Sequence, residues 1–156
     1  MWLIEGHLAL HDYVSARELA DQILNLTQAL GYSHFEGIAH RLIGESLAAE
    51  APAAAREHVE SALRILDGMG ARSDYAKALV TQARLCQIEG DGVFARQLLE
   101  KADNIFEAIG TTDEPVRVRA ALEELKRRLL EHSADGTASL WSSPRRGIDD
   151  FQIKNG

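Results

Sequence analysis

One sixteen-residue stretch occurs three times in this chain. ARELADQILNLTQALG runs from Ala16 to Gly31, AREHVESALRILDGMG from Ala55 to Gly70 and ARQLLEKADNIFEAIG from Ala95 to Gly110. Each copy opens Ala-Arg and closes on glycine, and the copies begin 39 and 40 residues apart. Within each, the first, fifth and eighth positions are small or apolar: Ala16, Ala20, Ile23; Ala55, Val59, Ala62; Ala95, Leu99, Ala102. Spacings of four and three place them on one face of a helix. The stripe is expected to continue through Leu26, Ile65 and Ile105, then Leu30, Met69 and Ile109. The closing glycines suit a left-handed helix C-cap, where a Cβ is strained. A repeat of this length denotes a stack of helical units, none of which buries its apolar face alone. The expected fold is therefore all-α, an α-solenoid of stacked antiparallel helix pairs with about seven helices and a polar C-terminal capping helix.

Between the copies lie the other helices. Residues 2–10 read as a short helix, with Asp12 and Tyr13 forming the turn after it. Ser33-His34-Phe35-Glu36 has the form of a capping box opening a helix to about Ala49. Pro52 falls in the first turn of the second Ala-Arg helix, where a missing donor costs nothing. Ser73 is a candidate cap for a helix from about Asp74 to Glu89, and Gly90-Asp91-Gly92 is the next turn. Thr112-Asp113-Glu114-Pro115 starts the last helix, which is expected to end near His132. The chain divides into a helical repeat domain over 1–132 and a flexible Ser-, Gly- and Asp-rich tail over 133–156. Trp141, Ile148, Phe151 and Ile153 are unusual for such a tail and suit packing on the domain or on a neighbour. Arg145 and Arg146 follow Ser142-Ser143-Pro144 as a docking segment or plain linker.

Several function classes are disfavoured. A net charge of −7 argues against a general nucleic-acid binder. No apolar run approaches the roughly 18 residues of a membrane span, and MWLIEGHLAL lacks the basic region and cleavage site of a signal peptide. The single cysteine, Cys86, leaves no internal disulfide framework and fits a reducing, cytoplasmic compartment; its place on the packed helix face suits a buried inert thiol. There is no phosphate-binding glycine loop and no nucleophile beside a base, so neither an enzyme nor a cofactor is expected. His7 and His11 stand four apart, a spacing that can hold a metal, but they lack an HExxH glutamate and a third ligand, so a structural role is expected. His34, His40, His58 and His132 are dispersed along the chain. The sequon Asn25-Leu26-Thr27 lies inside a helix and is discounted.

The chain resembles the tetratricopeptide repeat (TPR) family. The residues that carry the resemblance are Leu42-Ile43-Gly44, Leu47, Ala55, Val59 and Ala62, then Ala83, Cys86, Gly90-Asp91, Ala95, Leu99 and Ala102. It covers about residues 2–131. The period exceeds the family's roughly 34 residues, and the repeat-closing proline is absent. This longer form is similar to C-terminal sensor repeats of bacterial signalling ATPases and LuxR-type regulators. The first unit lacks most of its first helix, as expected of the tail or a fragment of a longer ancestor.

The resemblance implies a non-catalytic interaction module, an adaptor or scaffold, binding a protein or peptide on the concave face lined by the first helix of each unit. By position this points to Arg41 and Glu45, then Lys77, Arg84 and Gln87, then Arg117. These residues are expected to form a locally basic strip suited to an acidic segment or a C-terminal carboxylate; the plainer alternative is an ordinary solvated helix face. The chaperone-tail clamp of the family is not carried over, because no asparagine accompanies Lys77. Two other readings stand beside this one. One is a self-associating structural module, joined through the N-terminal half-unit or the tail. The other is a ligand-sensing regulatory domain.

Overall fold

A computed structural model describes residues 1–111 and 113–141, without the side chains of Trp2, Asp113 and 132–141. Among the described residues the fold is all-α: α1 (Trp2–Ala9), α2 (Tyr13–Leu30), α3 (Ser33–Leu47), α4 (Pro52–Gly68), α5 (Arg72–Ile88), α6 (Gly92–Ile109) and α7 (Asp113–Trp141). Each helix packs on its sequence neighbours, and α3 also touches α1 and α5. The Ala-Arg copies are α2, α4 and α6. The alanine of the pair falls in the first turn of each, and Ala16, Ala55 and Ala95 are all fully buried.

The three copies end alike. Gly31, Gly70 and Gly110 have φ of 69°, 66° and 73°. The residue after each donates its N–H back to a carbonyl five residues earlier: Tyr32 to Thr27, Ala71 to Leu66 and Thr111 to Phe106. This is the Schellman closure, which satisfies carbonyls left free at the helix end. The same bond runs from Asp91 to Cys86 after α5 and from Asp12 to His7 after α1. There His11, with φ of 59°, holds the place that glycine holds elsewhere.

The tight closure also corrects two expected caps. The residue that closes α2 or α4 is already the N-cap of the next helix. Tyr32 caps α3 and Ala71 caps α5, with the Glu36 and Tyr75 N–H groups donating to their carbonyls. Ser33 and Ser73 therefore lie inside the first turn and cap nothing, and the Glu36 carboxylate takes the Gln28 side chain instead of closing a box. Side-chain caps do occur at Asp12, which accepts from the Ser15 N–H, and Asp91, which accepts from Phe94. Pro52 begins α4 as expected.

The buried stripe also departs from the expected one. After the eighth position it passes through Thr27, Leu66 and Phe106, all buried, while Leu26, Leu30, Met69 and Ile109 are exposed. At about 100° per residue the twelfth position returns to within about 20° of the first, whereas the eleventh lies about 80° away. Two larger clusters result. One unites α5, α6 and α7 around Leu79, Leu99, Phe106, Val118 and Leu122. The other unites α1 to α5 around Ile4, Leu8, Leu42, Ile43 and Leu66. Ile4 and Leu8 cover the first half of α2, and Leu26 and Leu30 remain open on its second half.

The arginine of the Ala-Arg pair has its own task. Arg17 on α2 reaches Glu50 beyond the end of α3, 3.4 Å away, and Arg56 on α4 pairs with Glu89 beyond the end of α5. Each links a repeat helix to the end of the following helix. In the third copy Arg96 finds Glu100 on its own helix.

Helix α3 crosses α4 closely because it carries glycine at the crossing. A Cβ on Gly44 would lie 2.6 Å from Val59 Cγ2 and 3.0 Å from the Ala55 carbonyl oxygen. Both neighbours are stiff, one β-branched and one backbone. Gly44→Ala is expected to lower the unfolding free energy by about 1–2 kcal/mol, overpacking outweighing the gain in helix propensity. Gly6→Ala, with nothing within 4 Å, should instead raise it by up to about 1 kcal/mol. Urea titration of both variants checks the pair, and stabilisation by Gly44→Ala would refute the close crossing.

Helix α7 runs on to Trp141, past the expected end near His132. Residues 133–141 contain no proline, and Ala134, Ala138 and Leu140 are good helix formers. The charges on α7 answer one another at helical spacing, Glu123 with Lys126 and Glu124 with Arg127 and Arg128. The two arginines hold the Glu124 carboxyl down at about 2. The remainder of the expected tail, including Arg145, Arg146 and Phe151, lies outside the described residues.

Candidate functional site

The odd-numbered helices line one groove of about 470 Å³. Helix α1 contributes Glu5 and Leu8, α3 contributes Arg41 and Glu45, α5 contributes Lys77 and Arg84, and α7 contributes Glu114 and Arg117. Five of the six residues singled out in the sequence thus meet in one place. Gln87, one turn beyond Arg84, lines a smaller adjoining hollow of about 270 Å³ with Val80, Ala121 and Arg128.

The groove is not the basic strip that was expected. Its cations are largely answered by carboxylates. Arg41 is 6% exposed. Its Nη2 donates to Glu5 Oε1 at 3.0 Å and its Nη1 to Glu45 Oε2 at 3.3 Å. Glu45 Oε1 also accepts from Arg84 Nη1 at 2.8 Å. A single carboxylate on α3 therefore joins the arginines of α3 and α5, and Arg41 ties α3 to α1. Lys77 faces Glu114 of α7 at 3.8 Å. Arg117 is exposed and makes no hydrogen bond or ion pair with the described residues. Buried arginine is tolerable only because its charge is paired, yet the Arg41 Nε has no partner.

Glu5 and Glu114 were missed from the sequence. The Arg41–Glu45 pair is legible there as an i, i+4 contact. No local spacing links Glu5 to Arg41, or Glu114 to Lys77. Those pairs exist because α1, α3, α5 and α7 line one groove.

The remaining candidate groups are placed elsewhere. Cys86 is buried between α5 and α6, and burial pushes its thiol above the ordinary value, which suits a packing role. His7 Nδ1 meets Asp12 at 2.9 Å, and His11 Nδ1 meets the Tyr13 hydroxyl at 2.8 Å, so the two rings hold different partners. His34 Nε2 meets Asp74 at 2.8 Å, joining the starts of α3 and α5. No cluster of three or more histidine, cysteine or acidic ligands arranged for a metal occurs among the described residues. None of the described helices is long and apolar enough to cross a membrane.

Comparison with protein-family models, with curated proteins and with solved structures finds no match to this chain.

Proposed function

We propose that the chain is a non-catalytic interaction module, a TPR-like α-solenoid that holds a peptide or protein segment in the groove between α1, α3, α5 and α7. The observation that carries this reading is the convergence of four successive odd helices on one groove, with Arg117 at its wall making no ion pair or hydrogen bond with the described residues. The binding chemistry is electrostatic matching along a mixed row of charges. Glu5, Glu45 and Glu114 are already answered by Arg41, Arg84 and Lys77. Arg117 is left to take a carboxylate of the bound segment through its planar donor fork. Charge placed this way serves orientation and specificity more than raw affinity.

The pairing also selects the residue to test. Reversing Lys77 or Arg84 would set a carboxylate against Glu114 or Glu45 and disturb the fold as well as the groove. Arg117→Glu changes an exposed group that pairs with none of the described residues. It is expected to weaken capture of a partner from lysate of the native cell at least tenfold without changing the thermal melt. Gln97→Glu, at an exposed position of α6, should leave capture intact. Equal retention by wild type and Arg117→Glu would remove the groove wall at α7 from the binding surface.

A further inference from the structure

His40 on α3 and His58 on α4, eighteen residues apart, meet with their Nδ1 atoms 3.0 Å apart. Their ring centroids lie 5.1 Å apart with planes inclined at 43°. Neither nitrogen is engaged by a carboxylate, in contrast to His7 and His34. Two imidazole nitrogens this close share at most one proton between them. When they do, one Nδ1 donates and the other accepts; when neither carries it, two lone pairs face each other.

We infer that the His40/His58 pair is a binding site for a divalent transition-metal ion that bridges α3 and α4. At a metal–nitrogen distance of about 2.0–2.1 Å, a 3.0 Å separation of the two nitrogens subtends about 94° at the ion. That is the cis angle of a square-planar or octahedral site, the geometries of Cu²⁺ and Ni²⁺ with nitrogen and oxygen ligands. Tetrahedral Zn²⁺ would require the nitrogens to part to about 3.35 Å at the same bond length, so the existing spacing favours Cu²⁺ and Ni²⁺. Water fills the other coordination positions. Glu36 stands one turn before His40 on α3 and adds a negative charge near the ion; Arg64 on α4 opposes it.

The ring environment agrees with this geometry. Burial, then the neighbouring His58, push the His40 imidazole below its ordinary value, and Glu36 offsets this more than Arg64 adds to it.

The test is thermal unfolding of the whole chain with NiCl₂ in a non-coordinating buffer. At a concentration about 100-fold above Kd, the wild-type Tm should rise by about 5–10 °C. His40→Ala and His58→Ala should each abolish the rise, and His34→Ala should keep it. Electron paramagnetic resonance of the unmodified protein with substoichiometric Cu²⁺ gives a readout that needs no variant, and should show two coordinated imidazole nitrogens. The absence of a Tm shift at millimolar Ni²⁺ would overturn the inference. So would a shift that survives in the His40→Ala/His58→Ala double variant, or a Cu²⁺ spectrum with fewer than two imidazole nitrogens.

Discussion

Phe106→Ala is expected to cost about 3–5 kcal/mol of unfolding free energy, the range for removing a fully buried aromatic side chain from a packed core. Phe106 is 0% exposed and sits where α5, α6 and α7 share one cluster with Leu79, Leu99, Val118 and Leu122. Its carbonyl also accepts the Thr111 N–H that closes α6. Three helices lose contacts at once, and a rigid cluster collapses only partly around the cavity. Three residues further on, Ile109 looks equally apolar in the sequence but is exposed, and Ile109→Ala should cost less than about 1 kcal/mol. Urea denaturation of both variants measures the contrast. Equal losses would mean that the buried stripe of the third repeat runs through Ile109, as the apolar spacing of the sequence implies.

Glu45→Ala should be the most damaging single change in the groove, at about 2–4 kcal/mol. It leaves Arg41 buried with only the more exposed Glu5 as a counter-ion and leaves Arg84 without its carboxylate. Arg41→Met should behave very differently, within about 1 kcal/mol of wild type. It removes a buried charge together with the unpartnered Nε, and methionine fills much of the same space. In the Arg41→Met background, Glu45→Ala should then cost markedly less than it does alone. A double-mutant cycle reads this coupling directly. Additive losses would show that Glu45 acts through packing, or through Arg84 alone, and that the buried arginine does not depend on it. The cycle also bears on the proposed binding role, since Arg41→Met is a route to an altered groove in a folded protein.

Much of this molecule was legible in one dimension because its determinants are local. Helix periodicity is set by the backbone, so the recurring alanines at 16, 55 and 95 could be assigned to a buried face with no knowledge of their neighbours, and each is buried. The glycines at 31, 70 and 110 have the positive φ that their repeat position implied. The all-helical class followed from these two facts. Local pattern misled where two local signals competed. Ser33 and Ser73 are good capping residues, but the Schellman closure consumes the preceding loop and makes Tyr32 and Ala71 the caps. Likewise Leu26 and Ile105 continue an apolar pattern, but Thr27 and Phe106 hold the angle that faces the neighbouring helices.

What the sequence by itself determined is the helical units, most of their boundaries to within a few residues though not the end of α7, and the small residues that let them approach. Of the six residues that the resemblance points to by their place on first helices, Arg41, Glu45, Lys77, Arg84 and Arg117 line the groove. The packing of whole helices decided which charges neutralise one another. Glu5 reaches Arg41 and Glu114 reaches Lys77 only because separate helices line one groove, so a strip that reads as basic along the chain becomes a paired network with Arg117 left over. The same packing sets His40 against His58, two residues that nothing in their sequence spacing connects. Electrostatic and coordination partnerships depend on distance through space, and only the tertiary fold sets that distance.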